Sequence, residues 1–191
     1  GYKQEGFGLM DTTIFDGKRQ STSVTYLHPI KQRQNLTLIT NVQVSKIIIE
    51  NSSAVGVEIK NKNSLEKIFA EKEVLLSAGA INSPQILMLS GVGPEEELKN
   101  HGIQVISSLN GVGENLQDHL ETYVQYECTK PVTMYSSFNP INMALIGLQW
   151  FLFKKGIAAH SNLEIGGFIR TNEMVDYPNM QYHFFPSLVI D

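Results

Sequence analysis

From residue 35 onward the chain alternates short apolar runs with polar turns. Leu36-Thr37-Leu38-Ile39-Thr40 reads as a strand, and residues 42–49 as a second, with Val42 and Val44 alternating before Ile47-Ile48-Ile49. Asn51-Ser52-Ser53 is a turn, residues 54–59 a third strand and Asn61-Lys62-Asn63-Ser64 a further turn. Residues 66–69 and 73–77 are two more extended runs. The pattern is a β-meander feeding a strand and then a helix. That helix is predicted to begin at Pro84, capped by Asn82 or Ser83. It carries Ile86, Leu87 and Leu89 on its apolar side and stops at Gly91.

A second helix opens at Pro94. Glu95, Glu96 and Glu97 lie at its positive dipole end, which gives these carboxylates a structural task, and His101-Gly102 closes it. Residues 103–109 and 122–128 read as strands. Residues 141–153 are strongly apolar and end at Lys154-Lys155-Gly156. A helix there is about 20 Å long, too short to span a bilayer. It is either a core helix or one lying at a membrane surface, with Trp150 and Phe151 near its basic end. Residues 163–169 and 180–185 are strand-like. Residues 1–31 have little periodicity, with turns at Phe7-Gly8 and Asp16-Gly17 and a short helix after Ser21-Thr22-Ser23. The expected fold class is α+β or α/β.

Composition narrows the function classes. Among 191 residues, 42% are hydrophobic and 18% charged, as in a globular protein, and the net charge of −4 argues against a nucleic-acid surface. The one cysteine, Cys128, has no internal disulfide partner, and no Cys/His spacing suggests a metal. The chain does not begin with Met and stops after an apolar run, so it is expected to be an internal piece of a longer protein.

Chemistry is carried by a few places. Residues 77–93 read S-A-G-A-I-N-S-P-Q-I-L-M-L-S-G-V-G. A strand entering a helix through small residues brings backbone N–H groups and a positive dipole end together, as for a nucleotide. It is also a common tight connection with no ligand. Asp118-His119, closing a Gly-containing loop, is an acid/base pair or a polar loop knot. Glu164, before Gly166-Gly167, and His183, among aromatics, either line one pocket or are a surface carboxylate and a satisfied histidine. No G-x-G-x-x-G follows a strand, and G-x-S-x-G, Walker A and H-E-x-x-H are absent.

Gly79-Ala80-Ile81-Asn82-Ser83-Pro84-Gln85-Ile86-Leu87-Met88-Leu89-Ser90-Gly91-Val92-Gly93 resembles the second signature of the glucose–methanol–choline (GMC) oxidoreductases, which are FAD enzymes. Glu5-Gly6-Phe7-Gly8, Asn35-Leu36-Thr37, Ala54-Val55-Gly56-Val57-Glu58 and Gly111-Val112-Gly113-Glu114-Asn115-Leu116-Gln117-Asp118-His119 support it in the right order. The second half is more similar to choline-oxidising members than to sugar or aryl-alcohol ones, in Gly166-Gly167-Phe168-Ile169-Arg170 and Tyr177-Pro178-Asn179-Met180-Gln181-Tyr182-His183-Phe184.

The resemblance implies a Rossmann-like FAD-binding domain with a β-meander over residues 1–120, and part of an antiparallel-sheet substrate domain over 121–191. Val44 would touch the adenine, and Ser77, Ala78, Gly79 and Ser83 would approach the adenosine portion of FAD. Glu164 would hold a trimethylammonium group together with aromatic rings, for which Trp150, Tyr182 and Phe184 are candidates. His183 would face the same pocket.

The implied reaction is hydride transfer from an alcohol, choline first among them, to the flavin N5, within glycine betaine synthesis. A histidine takes the hydroxyl proton and a second His or Asn assists. Those groups and the N-terminal phosphate grip are expected outside this chain, so the 191 residues alone are expected neither to hold FAD tightly nor to turn over choline. The implied electron acceptor is a membrane quinone or oxygen. The implied location is the cytoplasm, with peripheral contact at the inner membrane. Another primary alcohol as substrate, or a non-catalytic relative of the fold, stays open.

Overall fold

A computed structural model describes residues 3–62, 64–163 and 165–187. In chain order the strands are β1 (Gly6–Leu9), β2 (Ile14–Phe15), β3 (Lys18–Arg19), β4 (Gln43–Glu50), β5 (Ser53–Asn61), β6 (Ser64–Phe69), β7 (Val92–Gly93), β8 (Ser107–Ser108), β9 (Ile165–Ile169) and β10 (Met180–Phe184). The α-helices are α1 (Gly79–Leu89), α2 (Glu95–Asn100) and α3 (Pro140–Phe153). They fall into two compact units, residues 37–120 and residues 1–36 with 121–191.

In the first unit β4, β5 and β6 form the expected antiparallel meander. The β4–β5 hairpin turns on Asn51 and Ser52, at φ +49° and +62° between the paired Glu50 and Ser53. Both central residues left-handed is the two-residue hairpin geometry whose twist matches the strands, and Asn is well suited to it. A bulge between Val44 and Lys46 shifts the alternation of β4 by one. Val44 pairs with Ile59 and Ile47 with Val57, so these four share one face although Val44 and Ile47 are three apart. Ile47 and Ile59 are buried, with Ile86 of α1 and Leu98 of α2. Past α1, β7 and β8 pair in parallel, with α2 in the connection between them.

Helix α1 starts at Gly79, five residues before the predicted Pro84, which lies inside it. Pro84 has no N–H to offer the Ala80 carbonyl one turn back. Its appearance as a first residue in the sequence reflects that break, which here falls within the opening turns. Helix α2 forms where predicted but starts one residue later, with Pro94 as its cap instead of its first residue, and Glu95, Glu96 and Glu97 in the first turn. Glu95 pairs with Lys99, and Glu97 Oε1 lies 3.1 Å from His101 Nε2.

In the other unit β9 is the central strand of an antiparallel sheet in the order β1-β9-β10. The sequence reading set residues 1–36 beside the meander. In the structure they cluster with residues 121–191, because Gly6–Leu9 pairs along Ile165–Phe168 and Glu5 bonds Arg170. The β2–β3 hairpin turns on Asp16 and Gly17, at φ +50° and +61°. Helix α3 is capped by Asn139, whose Oδ1 accepts from the Asn142 N–H at 2.9 Å, with Pro140 leading and Lys154 left-handed at its end. Trp150 Nε1 donates to the Gly17 carbonyl at 2.6 Å, so the hairpin tip seats on the last turn of α3.

Four predicted strands differ. Residues 36–40, 73–77 and 122–128 form no regular element, and of 103–109 only Ser107 and Ser108 pair. Isolated strands do not satisfy their own N–H and C=O groups, and no partner strand runs beside these segments among the described residues. The predicted helix near residue 21 is a single π-helical turn, Ser23–Leu27.

The Glu5–Arg170 pair gives one acid-side prediction. Both Glu5 oxygens lie 3.2 Å from Arg170 Nε, and this hydrogen bond is the main cause that holds the Glu5 carboxyl below its ordinary value of 4.5. A depressed folded pKa contributes stability above the unfolded pKa, lost as pH falls through the folded one. Glu5→Gln therefore lowers the urea midpoint slightly at pH ~7, and the two proteins converge by pH ~3. A gap that persists unchanged at the lower pH overturns this.

Candidate functional site

The turn before α1 has the features of a nucleotide contact. Gly79 has φ +88°, a conformation other residues rarely take, and a Cβ there would meet nothing within 4 Å. The Ala78 N–H is satisfied by Ser83 Oγ at 3.1 Å, reaching back from within the helix. Ser83 is thus not a helix cap in the predicted sense, since it holds the turn closed from inside. The next N–H groups, of Gly79, Ala80 and Ile81, have no intrahelical acceptor by helix geometry. The first turn carries no acidic residue and no side-chain cap. An exposed glycine, free donors and a positive dipole end leave this place open to a phosphate, a ribose hydroxyl or another acceptor. Ser77 is exposed and Val44 half-buried.

One residue that sequence reasoning missed links these parts. Ser90, 5% exposed, accepts from the Ile47 N–H of β4 at 2.7 Å and donates to the Ile86 carbonyl of α1. Its only sequence signal is a hydroxyl inside the apolar run Leu87-Met88-Leu89-Ser90.

The residues expected on the substrate side divide by strand alternation. Tyr182 pairs with Gly167, whose partner on the other side is Phe7, while Phe184 pairs with Ile165, whose other partner is Leu9. The Phe7 and Tyr182 ring centroids are 5.7 Å apart, and a Cβ on Gly167 would overlap the Phe7 ring. His183 pairs with Gly166, whose other partner is Gly8, and lies on the opposite face with Gln181 and Phe168. His183 therefore does not share a pocket wall with the Tyr182 and Phe184 rings, because neighbours along a strand point to opposite sides. Trp150 holds the β2–β3 hairpin, and the Lys154 ammonium lies 3.9 Å from its ring centre. Glu164 lies outside the described residues. Asp118 Oδ1 accepts from the His119 main-chain N–H at 2.8 Å, a knot within the loop.

Among the described residues no cluster of His, Cys, Asp or Glu is arranged as metal ligands, and no helix is long and apolar enough to cross a membrane. The family described as GMC oxidoreductase matches residues 1–121, which include the whole turn and α1. The chain belongs to the GMC oxidoreductases.

Over all 191 residues it is 50% identical to the mitochondrial choline dehydrogenase of Homo sapiens, covering 32% of that protein. It is 51% identical over 190 residues to oxygen-dependent choline dehydrogenase 1 of Chromohalobacter salexigens, across 99% of this chain and 34% of that one. Its fold matches a solved FAD-dependent oxidoreductase from Chaetomium thermophilum with a TM-score of 0.74 at 28% identity, over 87% of this chain and 30% of that chain. The chain thus spans about a third of the length of the curated relatives it matches. The mixed helix and sheet architecture, with antiparallel sheets, is that of a part of the GMC fold.

Proposed function

We propose that the protein carrying this chain is an FAD-dependent dehydrogenase that oxidises choline to betaine aldehyde, a step in glycine betaine synthesis. The observation that carries this reading is the half-identity to choline dehydrogenases along the entire chain, through both compact units. The turn geometry agrees with it. Gly79 lets the adenosine end of FAD approach the backbone, the first N–H groups of α1 offer donors, and Ser77, Ala78 and Val44 complete that contact. Ser83 holds the turn in shape through the Ala78 N–H.

Bound FAD supplies the acceptor for the hydride leaving the alcohol carbon. In the same reading Glu164 balances the fixed positive charge of the trimethylammonium group. His183 lines the substrate side from its own face of the sheet. The acid–base pair that takes the hydroxyl proton belongs to other parts of the protein. The electron acceptor is a quinone reached from the cytoplasmic face of the inner membrane.

The test uses the full-length protein. Anaerobic choline bleaches the flavin absorbance, and the neutral isostere 3,3-dimethylbutan-1-ol is at least about tenfold poorer in kcat/KM, from one missing charge contact. Glu164→Gln raises KM for choline by a similar factor and narrows the gap between the two alcohols. Equal use of both alcohols by the wild type overturns choline as substrate. Oxygen consumed one-for-one with choline replaces the quinone by oxygen.

A further inference from the structure

We infer that Ser90 is a positioning residue for the cofactor's adenosine end, acting through the backbone of two elements it does not share with the ligand. The inference rests on the FAD reading above and deepens it. Val44 lies on β4, and Ser77, Ala78 and Gly79 lead into α1. Among the described residues one hydrogen bond joins β4 to the residue that caps the end of α1, the Ile47 N–H to Ser90 Oγ at 2.7 Å.

The hydroxyl is committed on both sides. Its lone pair takes the Ile47 donor and its proton goes to the Ile86 carbonyl, which also accepts the Ser90 main-chain N–H at 3.0 Å. Ile47 uses its side chain for the sheet's buried face and its N–H for the helix end. Ser90 therefore stands where a neighbouring strand would otherwise satisfy β4. Three residues back lies Val44, across the bulge that puts Val44 and Ile47 on the same face. Sliding or rotating β4 against α1 breaks this bond, and the same movement shifts Val44 relative to the residues that lead into α1. A buried donor left unpaired is costly, so the bond defines one register.

Ser90 is buried and its hydrogen bonds go to Ile47, Ile86 and Leu87, none of them in the turn, so a change there reaches the cofactor through the two elements. The experiment uses the full-length apoprotein, titrated with FAD and with FMN, which lacks the adenosine half. Wild type binds FAD more tightly than FMN. Ser90→Ala weakens FAD by about tenfold while the FMN affinity moves less than about twofold, and Ser90→Thr, which keeps the hydroxyl, recovers most of the loss. Equal weakening of both flavins in Ser90→Ala, or an unchanged FAD affinity, overturns the inference. If Ser90→Ala does not fold, Ser90→Cys, of similar size with a weaker donor, takes the same titration under the same criteria. If wild type binds FMN as tightly as FAD, it is the assignment of the adenosine end that fails, and this inference with it.

Discussion

Gly91→Ala destabilises the protein by about 3 kcal/mol, which moves a chemical-denaturation midpoint far to the left while the slope is kept. Two costs add. Gly91 has φ +83° as the residue that ends α1, where a left-handed alanine costs about 1–2 kcal/mol. A Cβ at this position would also overlap the Gln104 carbonyl oxygen and press on Ile106, so backbone has to shift by an amount worth about 1–3 kcal/mol. Neither neighbour can retreat cheaply. The Gly91 carbonyl accepts from the Ile106 N–H at 2.8 Å and the Ser107 N–H at 3.1 Å, the bonds that lead into the parallel pairing of β7 and β8. Gly147, mid-way along α3, has ordinary φ and nothing within 4 Å of its Cβ position. Gly147→Ala is therefore neutral or stabilising by up to about 1 kcal/mol. Similar midpoints for the two variants would sink the argument.

That contrast marks what was legible in the sequence. A glycine closing an apolar helical run is readable, and so is the meander, because Asn51-Ser52 and the alternating β-branched residues express local preferences. Helix α3 is readable at its end, from Lys154-Lys155-Gly156, whereas its start at Asn139-Pro140 emerges only from the structure. Strands that depend on a distant partner are a different matter. Leu75 is 80% exposed and Val124 75%, apolar positions with strand-like composition but no ladder beside them. β1 formed where the composition suggested only irregular chain, because Gly6–Leu9 meets β9 across some 160 residues of sequence, a pairing no local window contains.

The candidate site is expressed in the sequence as residue types, whereas the arrangement of those residues depends on the fold. The role of Gly79 rests on the family resemblance, and its left-handed backbone with open space around it is compatible with that role. Ser83 was named as a cap and cofactor contact, but its hydroxyl faces back to the Ala78 N–H. The resemblance puts His183, Tyr182 and Phe184 on one pocket, whereas a strand sends adjacent residues to opposite faces. Ser90 gave almost no signal, since a serine in an apolar run is told from a surface serine only by what covers it.

Gly79→Val separates the two meanings of the turn. If the turn is a tight connection and nothing more, the substitution costs only the strain of a left-handed, branched residue, about 2 kcal/mol, because its Cβ meets no protein atom. If the turn carries the adenosine end of FAD, the new side chain enters the space the nucleotide would use and holds it off the free N–H groups of α1. In the full-length protein the expected result is then a melting temperature of the apoprotein within a few degrees of wild type and an FAD affinity lower by about a hundredfold, near 3 kcal/mol. Gly79→Ala, with a single methyl, falls between. The order Gly, Ala, Val in FAD affinity, set against nearly level apoprotein stability, identifies a surface built for a ligand. Parallel loss of stability and affinity identifies a turn whose glycine serves the chain alone. Gly91 and Gly79 are both left-handed glycines at the ends of one helix, and what distinguishes them is occupancy: the first is filled by protein, and the second is left open toward solvent.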